Sequence, residues 1–436
     1  MPDSLFKGVG IVLPMVNEWA CWLARNIFIT AAGHSPAMGE EEGGQKAPEG
    51  VERYRTEAHE VMGPAAEAQM WDLDLEGRIR KLTWWWWWWL FLLKDPQDPR
   101  RTRQLMILWS TKHTKWIKVN DYLWEPTRDV ERIQDGDRTR LSFDGMTAAW
   151  WYDGRRMHEP LLLERGDFEV VKGGGEGGEG ALDPRSPHDL RLSGRPGRYR
   201  LDISMPEKGH AFHLEMLPWA PFMDQHRYRA NRYTRKWSYN ILRVYGSRVT
   251  GRYLVDGQEV DAAGSTAYFQ KVRVNAPAVP WYWCVMHTQR GDYLDYFMPH
   301  VGLSIFRRRE APRSWLDRDG YFMGRSLQFW DEAEQKLRRF KRTRIRKTFT
   351  GEDLPVFHLS GENDRGTVEL ELEAYSRACW RFEQKYLLGL GRSILYYNEY
   401  PSQLNRFELV QDGKRTSLAD LGWTAANCEH TWGKLL

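Results

Sequence analysis

TWWWWWWLFLLK, residues 83–94, holds six consecutive tryptophans. Along a β-strand successive side chains point to opposite faces, so Trp84, Trp86 and Trp88 form one row and Trp85, Trp87 and Trp89 the other. Each large side chain taken fully out of water contributes roughly 1.5–3 kcal/mol. Neither row is therefore left facing solvent. The apolar run from Trp84 to Leu93 is also well short of the ~20 residues that a membrane-spanning helix needs. The segment reads as a strand buried on both faces. One row is expected to line a ligand cavity, and the other to pack against a second barrel or the N-terminal segment.

The rest of the chain extends this reading. Asp-Gly, which suits the positive φ angles of tight hairpins, occurs at 135–136, 144–145, 153–154, 256–257, 319–320 and 412–413. GRYLVDGQEV, AAWWYDGRRM and FELVQDGKRT flank such turns with apolar alternation. DEAEQKLRRFKR at 331–342 is the best short helical candidate. Many short strands with hairpin signals predict an all-β chain of barrels or sandwiches with minor helix.

At 436 residues the chain has length for two or three domains. Residues 1–50 are expected to form an apolar N-terminal segment and its linker, GEEEGGQKAPEG. The linker's counterpart, 173–198, opens with GGGEGGEG and is expected to be a flexible insertion. Pro14, Glu18 and Arg25 interrupt the apolar stretch 8–32, so an amphipathic helix, packed or touching a membrane surface, fits it better than a cleaved signal.

Basic and acidic residues nearly balance, 63 against 59, so no global field for nucleic acid is expected. Cys21, Cys284, Cys379 and Cys428 form no CxxC pair, which fits a reducing, cytoplasmic compartment and excludes a zinc ribbon. His210 and His213 would lie on opposite faces of a strand, so no metal site is expected there. No Walker loop, nucleotide glycine fingerprint or G-x-S-x-G elbow is present, and no cofactor is expected. The basic stretch Lys336–Lys347 offers a peripheral membrane contact. It reads better as a solvated strand pairing with the acidic TVELELEAY at 367–375.

Residues 264–298, GSTAYFQKVRVNAPAVPWYWCVMHTQRGDYLDYFM, carry a resemblance. With Gly264, Tyr268, Gln270 and Lys271 in a first strand, Trp281 and Trp283 in a W-x-W strand, and Arg290-Gly291-Asp292 at a turn, the chain resembles the tandem lipocalin-like family of carotenoid 1,2-hydratases, tocopherol cyclases and Diels–Alderases. The tryptophan run falls where that family has a Trp-Trp-aromatic strand, and GWTAANCEHTWG at 422–433 resembles its closing strand. The resemblance spans roughly residues 55–436. It implies two lipocalin-like antiparallel barrels, at 51–310 and 311–436. It also implies an isoprenoid or lipid ligand, with hydration, cyclisation or isomerisation of a double bond as the reaction. Hydratase-like members carry an acid and a histidine where this chain has Gln270 and Lys271. A glutamine cannot donate a catalytic proton as a carboxylic acid can.

Strand parity nominates the chemistry. Trp281, Trp283, Val285 and His287 share one face, as do Tyr293, Asp295 and Phe297. If these strands neighbour one another, Trp283, His287 and Asp295 meet, and a His–Asp pair in an aromatic setting is a candidate acid or base. The same residues also fit a solvated hairpin end. Near the C-terminus Asn427, Glu429 and Thr431 point one way and Cys428, His430 and Trp432 the other. Glu429 is a second acid candidate, or a hydrogen-bonded structural glutamate. The expected catalytic set is His287, Asp295, Glu429, Lys271 and Tyr268. The expected ligand wall is Trp84, Trp86, Trp88, Gln270, Trp281, Trp283, Tyr296 and Trp432. A carrier of the same fold without catalysis, and a carbohydrate-binding or glycoside-hydrolysing protein, are the alternatives.

Overall fold

In a computed structural model the described residues run from 73 to 435. They exclude 173–179, 186–190, 196–197, 219–223, 230–237, 276–279, 302–320, 323–324, 350–353, 387–390 and a few single positions. The expectations for residues 1–50 and for Asp319-Gly320 lie outside them. No helix among the described residues is long and apolar enough to cross a membrane.

The described chain is all-β, as expected, with short 3-10 turns such as Pro206–Lys208 and Leu418–Asp420 and two large antiparallel sheets. The first sheet closes on itself in chain order. From Thr83–Lys94 it passes through Thr102–Lys112, Arg138–Tyr152, Met157–Lys172, Gly180–Arg185, Arg191–Arg195, Arg198–Met205, His210–Pro218 and Ser238–Val255 to Ser265–Asn275. That last strand pairs back onto the tryptophan strand. Closure leaves this ring of strands without an open edge.

The second sheet also follows chain order. It runs from Trp281–Thr288 through Tyr293–Val301 and Ser326–Asp331 to Lys336–Phe340, and resumes with Arg342–Phe349, Pro355–Asn363, Gly366–Ala374, Gly391–Gln411 and Thr424–Leu435. The last strand pairs with the first. Lys341 joins the two runs: Lys336–Phe340 pairs with Ser326–Asp331 and Arg342–Phe349 with Pro355–Asn363, while the Lys341 amide donates to the Glu362 carbonyl.

Several expectations are corrected by the pairing. The chain changes sheets between Asn275 and Trp281, well before the expected boundary at 310, because Trp281–Thr288 pairs with Thr424–Leu435. Within 173–198, the described strands Gly180–Arg185 and Arg191–Arg195 pair with Met157–Lys172 and with each other as members of the first ring. The helical candidate 331–342 is a hairpin in which Asp331 pairs with Lys336, and the buried Arg338 bonds Asp331 and Glu334. The basic strand Arg342–Phe349 pairs with Pro355–Asn363, not with Gly366–Ala374, whose Glu369 meets Arg406 instead.

Turn chemistry is mostly as read. Asp256-Gly257 and Asp412-Gly413 both have positive φ at each position, as a type I′ hairpin requires. Asp144-Gly145 is the exception and lies inside the strand Arg138–Tyr152. Gly145 is needed there because the Phe168 ring lies across it, and an added Cβ would come within 2.1 Å of that ring.

Three buried layers result. Trp85, Trp87 and Trp89 point into the first ring with Phe91, Trp109, Phe143, Trp151 and Phe269. Tyr282, Cys284, Met286, Tyr296, Phe329 and Phe357 fill the second. Trp84, Trp86 and Trp88 face a third layer between the sheets, together with Tyr245, Tyr268, Trp283, Tyr293, Trp330, Phe382 and Tyr397.

Candidate functional site

One set of buried polar groups with the chemistry of a site lies in this third layer. Register places them. Glu399 on Gly391–Gln411 pairs with Glu429 on Thr424–Leu435, and Glu429 pairs on its other side with Trp283. The three side chains therefore share one face, and Tyr397 and Trp281, each two residues along, share it too.

Glu399 is fully buried and Glu429 nearly so. The Tyr397 hydroxyl oxygen is within hydrogen-bonding reach of Oε1 of both, at 2.8 Å from that of Glu429. The Trp281 indole N–H donates to Glu429 Oε2 at 2.6 Å. A phenol has one proton to give, so it can donate to one carboxyl only, and the other must bring its own proton. Burial, then the neighbouring Glu429 charge, holds the Glu399 carboxyl well above the usual carboxylate range. Burial raises Glu429 to about 7, opposed by its bonds from Trp281 and Tyr397. The Tyr397 phenol is likewise pushed up, by burial and by the two carboxyls. Both carboxyl shifts favour retention of a proton by the pair. The arrangement that satisfies every atom named has protonated Glu399 donating to Tyr397, whose own proton goes to Glu429, which also accepts from Trp281.

Beside this relay lies a second buried group. Asp295 accepts from Arg243 at 3.2 Å and from the Trp283 indole at 2.8 Å. Arg243 also donates to the Tyr245 hydroxyl at 3.2 Å and lies over the Phe297 ring at 5.3 Å. Its charge acts on Glu429 and favours the ionised form there.

Aromatic rings connect the relay to the half-buried edge of the layer. Trp281 lies 5.7 Å from Tyr397, Tyr397 lies 6.2 Å from Phe382, and Phe382 and Trp86 each lie 5.8 Å from Trp84. Trp84, Trp86, Trp281, Phe297 and Phe382 are all half-buried, whereas the carboxyls beneath are buried.

The expected site residues divide accordingly. Glu429, Asp295, Trp281, Trp283, Tyr268, Trp84, Trp86 and Trp88 come together in the inter-sheet layer. Tyr268 packs on Trp88 and Trp283 at 5.6 and 5.1 Å and donates to the half-buried Gln270. Trp283 and Asp295 meet as expected, but His287 does not join them. Its Nε2 donates to the Tyr245 carbonyl at 2.8 Å, so Nδ1 accepts from Thr266 at 2.9 Å, and burial lowers its pKa to about 4. His287 is a neutral clamp between the sheets, with both ring nitrogens engaged. The alternative of a solvated hairpin end also falls, since His287 and Asp295 are fully buried.

Lys271 pairs with Trp87 and shares the face of Phe269, toward the interior of the first ring. Tyr296 lies inside the second ring with its hydroxyl against Met298, and Trp432 stacks on Tyr396 at 4.1 Å. Neither belongs to the relay. Sequence reasoning missed Glu399, Tyr397 and Arg243. The alternation of Tyr397 and Glu399 in LYYNEY was the available signal for the first two.

No family model matches the sequence, and no curated protein matches it. Among solved structures the chain is similar to a protein assigned as an AttH from Nitrosomonas europaea, at 10% identity and a TM-score of 0.42, over 82% of this chain and 96% of that one. It is also similar to kievitone hydratase from Nectria haematococca, at 10% identity and a TM-score of 0.37, over 88% and 97%. At this level the likeness assigns no residue a role.

Proposed function

We propose that the layer between the two sheets binds a long apolar ligand, an isoprenoid or another polyene lipid, and that Glu399, Tyr397 and Glu429 exchange a proton with one of its double bonds. The observation that carries this reading is the pair of buried carboxyls sharing one phenol beneath a half-buried row of indoles. A neutral carboxylic acid in apolar surroundings is a proton donor, and its ionised neighbour is a base. Protonating an alkene carbon converts the C=C pair into a C–H bond and leaves a cation on the adjacent carbon. Loss of a different proton to Glu429 then gives the isomer. Capture by a second double bond, followed by proton loss, gives a ring. Capture by water, with its extra proton returned to the carboxyl pair, gives the alcohol. Trp84, Trp86, Trp281 and Phe382 offer ring faces that stabilise a passing cation.

Glycoside hydrolysis is disfavoured by the same geometry. It needs two carboxyls about 5–9.5 Å apart with the sugar between them. Glu399 and Glu429 instead interact directly and converge on the one Tyr397 hydroxyl.

The test is organic extraction of the purified protein followed by mass spectrometry, then incubation of the retained compound in D2O. The expected result is a stoichiometric unsaturated lipid, lost in Trp84→Ala/Trp86→Ala, that gains deuterium at carbon. Glu399→Gln should slow that exchange about 100-fold or more. A retained lipid that gains no deuterium reduces the protein to a carrier. If no apolar compound is retained, and none binds on titration, the reading fails.

A further inference from the structure

Lys112 is the last residue of the strand Thr102–Lys112 and the register partner of Trp84. Met106 and Leu108 on the same face belong to the layer between the sheets, so Lys112 points there too. Its ammonium lies 5.5 Å from the Trp84 ring centroid, and the residue is 5% exposed. Among the described residues it forms no ion pair with a carboxylate. The one charge that acts on it appreciably is that of Lys115, which repels it, and burial together with that repulsion lowers its amine to about 8. A buried cation without a counter-charge is strongly disfavoured.

A second observation lies beside it. Ser110, two residues earlier on the same face and paired with Trp86, is 1% exposed, and its hydroxyl has no hydrogen-bond partner. The buried indole N–H of Trp84 has none either. Buried polar groups are ordinarily satisfied. Here an ammonium, a hydroxyl and an indole N–H remain available along one strand pair.

We propose that Lys112, with Ser110 and Trp84, receives an oxyanion, a carboxylate or an enolate, at one end of the apolar ligand. The inference rests on the layer being the ligand site, and it adds a substrate class: an acidic amphiphile, not a neutral hydrocarbon. Successive contacts lead from Lys112 to the Trp84 ring, on to Phe382 and from there to Tyr397. The ligand's charge would thus sit away from Glu429, with its apolar body reaching the proton relay. An ammonium in low dielectric favours such a group strongly, because charge-assisted hydrogen bonds are about twice as strong as neutral ones.

The experiment compares retinoic acid with retinol, two probes of the same apolar body, by quenching of tryptophan emission. The native protein is expected to bind the acid about tenfold more tightly or better. Lys112→Met should abolish that preference while retinol still binds, which also reports that the variant is folded. Lys112→Arg should keep most of the preference, and Ser110→Ala should reduce it. Retinol binding without preference for the acid in the native protein, or a preference that survives in Lys112→Met, overturns the assignment of Lys112 and leaves the layer as a ligand site. Failure of both probes to bind overturns both readings.

Discussion

The two faces of the tryptophan strand show the same residue type in two kinds of interior. Trp85, Trp87 and Trp89 enter a mainly apolar layer, with Lys271 opposite Trp87 as a buried cation, where Trp89 stacks on Phe269 at 4.6 Å and meets Trp109 edge-on at 4.7 Å. Trp84, Trp86 and Trp88 enter a layer that also holds Glu399, Glu429, Asp295, Arg243, His287 and Gln104. A core built for stability alone has no use for buried carboxyls, since desolvating them costs more than apolar packing of the same volume. The first face teaches how the ring is held together, and the second holds a cluster of buried carboxyls that packing alone does not call for.

The comparison is broken most severely from the apolar side. Trp89→Ala should cost about 3–5 kcal/mol in urea unfolding. The half-buried Trp86→Ala should cost about 1 kcal/mol and abolish ligand retention instead. Equal losses at both positions would erase the distinction between the faces. Next in size is the buried ion pair. Arg243→Met strands Asp295 and should cost about 3 kcal/mol, part of which returns in Arg243→Met/Asp295→Asn.

The carboxyl pair gives a smaller, pH-dependent effect. Folded Glu399 and Glu429 titrate above their ordinary value of 4.5. The stability that Glu429 contributes is therefore complete below that value and is lost as pH rises through about 7, on the order of 2 kcal/mol, and that of Glu399 is lost at a higher pH still. Urea midpoints between about pH 5 and pH 8 should fall in the native protein and flatten in Glu399→Gln/Glu429→Gln.

His287 acts in the opposite direction, through one group whose shift matches that of Glu429. Its folded value of about 4 lies below the unfolded 6.5. Its contribution is complete above 6.5 and is lost as pH falls through 4, by about 2 kcal/mol. His287→Gln should remove that acid-side slope while leaving the alkaline one in place.

Parity made much of this legible. A period of two assigns Trp84–Trp89, Trp281 and Trp283, Asp295 and Glu429 to their faces from the sequence alone. It does not say which face is a barrel interior and which is a contact between sheets, because both exclude water and both select large apolar residues. That is why a cavity inside one barrel was expected where the structure has a layer between two. Glu399 was legible in its alternation with Tyr397, but its partner was out of reach for a related reason. Its meeting with Glu429 depends on the register of two strands joined by the hairpin strand Lys414–Ser417 and the turn Leu418–Asp420, which no local pattern reveals. His287 shows the converse: its residue type suggested catalysis, yet its neighbours occupy both ring nitrogens.

The closure of the first ring also has a kinetic side. Thr83 and Asn275, bonded side chain to side chain at 2.7 Å, are 192 positions apart in the chain. The other edge of the tryptophan strand meets the very next strand, Thr102–Lys112, across a short connection. Contacts of long sequence separation form slowly, since loop entropy must be lost before they are rewarded. Indole emission during refolding should therefore change in two stages, an early one as the local hairpin forms and a late one as Ser265–Asn275 docks. The inter-sheet layer contains residues from Ser238–Val255 and Ser265–Asn275, so ligand binding should appear only with the late stage.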